Sequence, residues 1–92
     1  MEYCRIHRDN DTLIVFIMKH YETDTSGEHV EIRVERKDDM DTYAVFTLPA
    51  YYCSHAYGFT ERELDELGDF LKNNAVTIWD MARGNIRAEG VA

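Results

Sequence analysis

Hydrophobic and polar positions alternate through the first half of this chain and recur every three or four residues through the second. Cys4 and Ile6 alternate with Tyr3, Arg5 and His7, and the Asp9-Asn10-Asp11 cluster that follows supplies turn-forming side chains. From Thr12 to Tyr21, Leu13, Val15 and Ile17 fall on one face of an extended chain and Ile14, Phe16 and Met18 on the other. A strand apolar on both faces belongs inside a sheet and needs cover on both sides. The polar stretch Glu22 to Gly27 leads into the cleanest alternation, with Val30, Ile32 and Val34 inward and His29, Glu31, Arg33 and Glu35 outward. Lys37 to Asp41 is a second charged turn, and Thr42 to Leu48 is a fourth strand stopped by Pro49, which has no N–H to give to a ladder. Connections this short favour an antiparallel meander.

After Phe59 the period changes. Thr60 and Glu63 have the spacing of a capping box, and Phe59 and Leu64 that of a hydrophobic staple. Leu64, Leu67, Leu71, Asn74/Ala75, Ile78 and Ala82 continue a helical stripe, widened by Phe70 and Trp79 and closed by Arg83-Gly84. The pattern predicts one long helix from Glu61 to Arg83, about 34 Å at 1.5 Å per residue. The expected fold is therefore α+β: a four-stranded antiparallel sheet followed by one long C-terminal helix packed on one face. Residues 1–84 form the single domain of this reading and 85–92 a flexible tail.

One helix covers one face only. The second apolar face of Thr12 to Tyr21 is left for the aromatic segment Tyr51 to Tyr57, read as a loop folding back, or for a second protomer in a homodimer.

Composition narrows the functional classes. The chain has 92 residues, 45% of them hydrophobic and 30% charged, with one proline and five glycines, as expected of one self-sufficient globular domain. The longest apolar run, Leu13 to Met18, is too short to cross a bilayer, and no apolar leader is apparent, so a cytoplasmic protein without membrane contact is expected. Cys4 and Cys53 are expected to stay reduced. Eighteen acidic residues against ten Lys and Arg give a net charge of −8. Direct contact with nucleic acid requires clustered cations, so a basic protein surface is the more natural partner.

The acids are concentrated. Glu22 to Asp41 holds eight acids and three bases, and Glu61 to Asp69 five acids and one base. Acids near a helix start complement its dipole, and Asp-rich turns are good turns, so part of this pattern is local structure. The functional reading takes Asp38, Asp39 and Asp41 in the turn and Glu61, Asp65, Glu66 and Asp69 on the helix as an acidic binding surface that imitates a phosphate backbone. Tyr51, Tyr52 and Tyr57, in a segment unusually rich in aromatics, are its candidate apolar anchors.

Catalytic and metal chemistry find less. Cys4, His7, Cys53 and His55 supply the residue types of a zinc site, but Cys4 and His7 point to opposite faces of a strand, and the spacing matches no standard finger. A Cys53/His55 nucleophile and base pair lacks an identifiable third group or oxyanion donor. Asp38, Asp39 and Asp41 lack the surrounding pattern of a calcium loop, and His20 and His29 read as ordinary strand-edge residues. No cofactor, metal or catalytic residue is expected.

Tyr57-Gly58-Phe59-Thr60 with Glu63, Leu64 and Leu67, behind the His29-Val30 strand start, resembles small bacterial domains found in toxin–antitoxin-like pairs, over about a third of the chain. That resemblance implies one cognate protein partner and carries no functional residue over. In type rather than motif, the chain is also similar to small acidic phage inhibitors, including anti-CRISPR proteins. The expected function is stoichiometric inhibition of a basic nucleic-acid-handling protein. The alternatives are an apolar oligomeric interface in a toxin–antitoxin-like pair and, last, a Cys/His enzyme.

Overall fold

The computed structural model describes residues 1–84, and the expected tail at 85–92 lies outside the described residues. Five strands run β1 (Glu2–His7), β2 (Thr12–Thr23), β3 (Gly27–Arg36), β4 (Asp39–Leu48) and β5 (Tyr52–Tyr57), followed by helices α1 (Glu61–Asn73) and α2 (Ala75–Ala82). All neighbours pair antiparallel in the order β1-β2-β3-β4-β5, a meander. The α+β class and the antiparallel sheet stand; the strand number and the single long helix do not.

The alternation sets the core. Leu13, Val15 and Ile17 of β2, Val30, Ile32 and Val34 of β3, and Ala44, Phe46 and Leu48 of β4 are buried in one cluster with Leu67 and Leu71 of α1 and Ile78 and Met81 of α2. Register carries the same face across the sheet, with Val15 opposite Val34 and Val34 opposite Ala44. Both helices therefore lie on one face, and burial of these side chains drives the packing.

The fifth strand replaces the expected aromatic loop. Tyr43, Ala44 and Val45 pair with Tyr57, Ala56 and His55, then a bulge at Ser54 shifts the ladder so that Phe46 and Thr47 meet Cys53 and Tyr52. The segment lengthens the sheet at its edge and leaves the second face uncovered. There Ile14, Phe16, Tyr43 and Val45 are half-buried among charged neighbours. On this face Arg33 lies 4.1 Å from the Tyr43 ring centroid and pairs with Glu35.

The helix breaks at Asn74, whose φ of −111° and ψ of 9° leave the helical region. Its side chain is held from two sides: Nδ2 donates to the Phe70 carbonyl at 2.8 Å, and Oδ1 accepts from the Tyr3 hydroxyl at 2.8 Å. Asparagine competes with the helix for backbone partners, and here the tie to β1 fixes the break. At 1.5 Å per residue the two helices are about 20 Å and 12 Å long. The end of α2 is tied back to β3 by Arg83, which donates to Glu28 at 2.7 Å. With His20 as second partner, this pulls the Glu28 carboxyl down to about 2.

Candidate functional site: an acid-walled groove between β5 and α1

The start of α1 is fixed by a small polar network. The Glu63 backbone N–H donates to Thr60 Oγ1 at 3.1 Å and the Thr60 N–H donates back to Glu63 Oε1 at 2.9 Å, the capping box that the spacing predicts. Arg8, from the β1–β2 turn, donates to Glu63 at 2.9 Å and to Asp11, and Arg36 of β3 donates to Asp11 at 2.8 Å. The Thr60 N–H, reinforced by Arg8, holds the Glu63 carboxyl below its ordinary range, and Arg8 followed by Arg36 does the same for Asp11. The sheet end and the helix start are thus locked by charges that satisfy one another.

Most cations are used in this way. Arg5 pairs with Glu2, Lys19 with Glu31, Arg33 with Glu35, Arg62 with Glu66 and Arg83 with Glu28, besides the Arg8 and Arg36 pairs above. Among the described residues, Asp38, Asp39, Asp41, Glu61, Asp65 and Asp69 enter no ion pair. Asp39 has a local task, accepting from the Thr42 hydroxyl at 2.9 Å and the Asp41 N–H at 3.2 Å. Glu66 is 3.7 Å from Arg62 with both side chains well exposed, a pair of little energetic weight.

The turn acids and the helix acids sit at neighbouring places. Thr42, just past the turn, lies against Gly58, and Arg36 lies 5.9 Å from the Phe59 ring centroid, so Asp38, Asp39 and Asp41 share the end of the sheet from which α1 departs. Glu61, Asp65 and Asp69 follow at four-residue spacing along one exposed side of α1, about 6 Å apart along its axis.

Between that helix and the sheet edge lies a groove of about 450 Å³. Its apolar lining comes from Phe46, Cys53, Leu64 and Tyr51, and its helix wall from Asp65, Gly68, Asp69 and Lys72. Tyr51 adopts a left-handed φ of 58°, and the Lys72 ammonium lies 5.5 Å from its ring centroid, closing one end. Of the three candidate anchors, only Tyr51 joins Asp65 and Asp69 here. Tyr52 and Tyr57 are 65% and 69% exposed and pair with Thr47 and Tyr43 on the opposite face.

The cysteine and histidine candidates are kept apart. Cys53 Sγ donates to the His55 carbonyl oxygen at 3.4 Å, while the His55 ring contacts the Ser54 hydroxyl at 3.1 Å. Burial pushes both the Cys53 and the Cys4 thiols up, opposite to what an activated nucleophile needs. Both cysteines are free, and no group of three or more His, Cys, Asp or Glu gathers around a metal position among the described residues. No described helix is long and apolar enough to cross a membrane.

Sequence reasoning missed the groove because it missed β5. The available signal was Gly68, a glycine inside a well-capped helix, which marks a place where the helix presents no side chain. The fold and groove define a two-layer α+β domain with an acidic flank. No family model matches the chain, and neither a curated protein nor a solved structure gives a significant match.

Proposed function

We propose that this chain is a protein-binding module and a stoichiometric inhibitor, acting in the cytoplasm on a basic, nucleic-acid-handling protein whose nucleic-acid groove it occupies. One observation carries the reading: internal ion pairs use most of the arginines and leave Asp38, Asp39, Asp41, Glu61, Asp65 and Asp69 without a cation among the described residues. Lys37 and Lys72 are the described Lys and Arg residues outside these ion pairs, so the acids of the turn and the helix outnumber the cations left free beside them. Such a surface favours a basic partner, accelerates encounter and repels nucleic acid itself. Of the tyrosine anchors, Tyr51 shares the groove with Asp65 and Asp69 and is suited to anchor the contact there, while the exposed Tyr52 and Tyr57 lie on the opposite face of the sheet.

The test has two parts. A tagged chain retrieves its partner from nuclease-treated lysate of its native cell, and the purified partner is then titrated on labelled nucleic acid. One equivalent of the chain is expected to displace the nucleic acid, and the variant Asp65→Lys/Glu66→Lys/Asp69→Lys is expected to lose that effect with its fold intact. Inhibition retained by the variant at physiological salt overturns the reading.

A second reading, an apolar oligomeric interface of the toxin–antitoxin-like kind, draws on the uncovered sheet face with Ile14, Phe16, Tyr43 and Val45. A salt-resistant complex that is lost on Phe16→Ser and kept by the charge-reversed variant would favour it.

A further inference from the structure

We propose that the groove between β5 and α1 receives an extended basic segment of the partner, hydrogen-bonded to the free edge of β5 and placing Lys or Arg side chains against Asp65 and Asp69. This deepens the inhibitor reading and rests on it. The strand edge is the first argument. β5 ends the sheet order, so one side of its backbone has no strand partner among the described residues. Sheets commonly guard such edges with charges or proline. The opposite edge, β1, carries Glu2 and Arg5, paired to each other. The sequence of β5, Tyr-Cys-Ser-His-Ala-Tyr, has no proline and no Asp, Glu, Lys or Arg, and its guards are its short length and the bulge at Ser54, which leaves the ladder regular on either side. Ala56 shares the helix-side face with buried Ala44 yet is exposed, so the helices stop short of this edge. A sixth strand set beside β5 would extend the sheet along the groove, in the manner of peptide recognition by strand addition.

The groove's chemistry selects the occupant. Leu64, Tyr51 and Cys53, all partly exposed, offer apolar surface for the methylene stem of a lysine or arginine, while Asp65 and Asp69, one helical turn apart, face its charge. Lys72 is engaged over Tyr51 at one end. A second copy of this chain, itself at −8, or an acidic segment would bring carboxylates toward Asp65 and Asp69; a basic strand brings the complementary sign.

Gly68 makes the inference testable without disturbing the fold. A Cβ built there meets nothing within 4 Å, so a leucine would grow into the groove, and replacing an interior helix glycine favours the helix. The probe is a short peptide of alternating Lys and Val, with alternating Glu and Val as control, followed by amide exchange and chemical shifts of the full chain. The Lys peptide is expected to bind and protect β5 amides. Gly68→Leu is expected to weaken it by about tenfold or more while melting no lower than the parent. No binding, binding indifferent to Gly68→Leu, binding without β5 protection, or pairing of two copies through β5 each overturns the proposal. If Gly68→Leu still inhibits the partner and the triple lysine variant does not, the groove is wrong and the inhibitor reading stands. If the chain never displaces nucleic acid, the inhibitor reading falls, whatever the peptide does.

Discussion

Gly58 shows how much one residue decides at the junction of sheet and helix. Its φ is +85°, and a Cβ there would lie 2.6 Å from Thr42 Oγ1 and 2.9 Å from its Cγ2, in a side chain only 5% exposed. Gly27 also has a positive φ, of 79°, but open space around it. Alanine at position 27 meets only the left-handed penalty, about 1–2 kcal/mol. At position 58 overpacking adds about 1–3 kcal/mol more. Gly58→Ala is therefore expected to lower the urea midpoint clearly further than Gly27→Ala, and Thr42→Ala to recover part of the loss in the double variant. Equal effects at the two glycines would show that Thr42 gives way freely.

At the scale of elements, the tie between the β1–β2 turn, β3 and α1 rests on carboxylates whose titration lies below the ordinary range. A depressed native value means stability that is present above the unfolded carboxylate range, near pH 4, and lost as pH falls through the native value. Asp11→Asn leaves Arg8 and Arg36 without their shared anion and is expected to cost about 1–2 kcal/mol at pH 7. At acid pH, below the ordinary carboxylate range, the difference should be smaller, because the parent's own Asp11 carboxyl gives up its pairing as it takes up a proton. Urea unfolding at the two pH values checks this, and a gap that persists in acid would assign the cost to packing instead.

The same scale shows what the sequence made legible. Strands β2, β3 and β4 and the start of α1 follow from two-residue alternation and a capping box, signals that are local and complete. β5 escaped because its bulge at Ser54 breaks the alternation in the middle of six residues, and because its pairing with β4 is visible only in three dimensions. The break at Asn74 escaped because the apolar stripe continues through it, from Leu71 to Ile78, while the hydroxyl that holds it belongs to Tyr3, far away in sequence. The acids were legible as a list. Which of them stay unpaired was not, since pairing depends on Arg8 and Arg36 crossing between elements.

For the whole molecule, the two faces and the flank compete to define how the chain associates. The helix-covered face is spent on the core. The outer face keeps Ile14, Phe16, Tyr43 and Val45 half-buried beneath charged neighbours, which reduces what a second copy would gain by covering it. Against that modest gain stands the repulsion of two chains each carrying −8, strongest at low ionic strength, where screening extends over about 30 Å at 0.01 M salt. The balance favours a monomer that keeps its acidic flank available, as the proposed inhibition of a basic protein requires. Sedimentation equilibrium at low salt is therefore expected to return the single-chain mass of 10.8 kDa. Association to a basic partner of the kind proposed should be fast there and slow steeply as salt is added. A dimer that persists at low salt would mean that apolar contact outweighs this charge, and would turn the case toward the outer sheet face and the oligomeric reading.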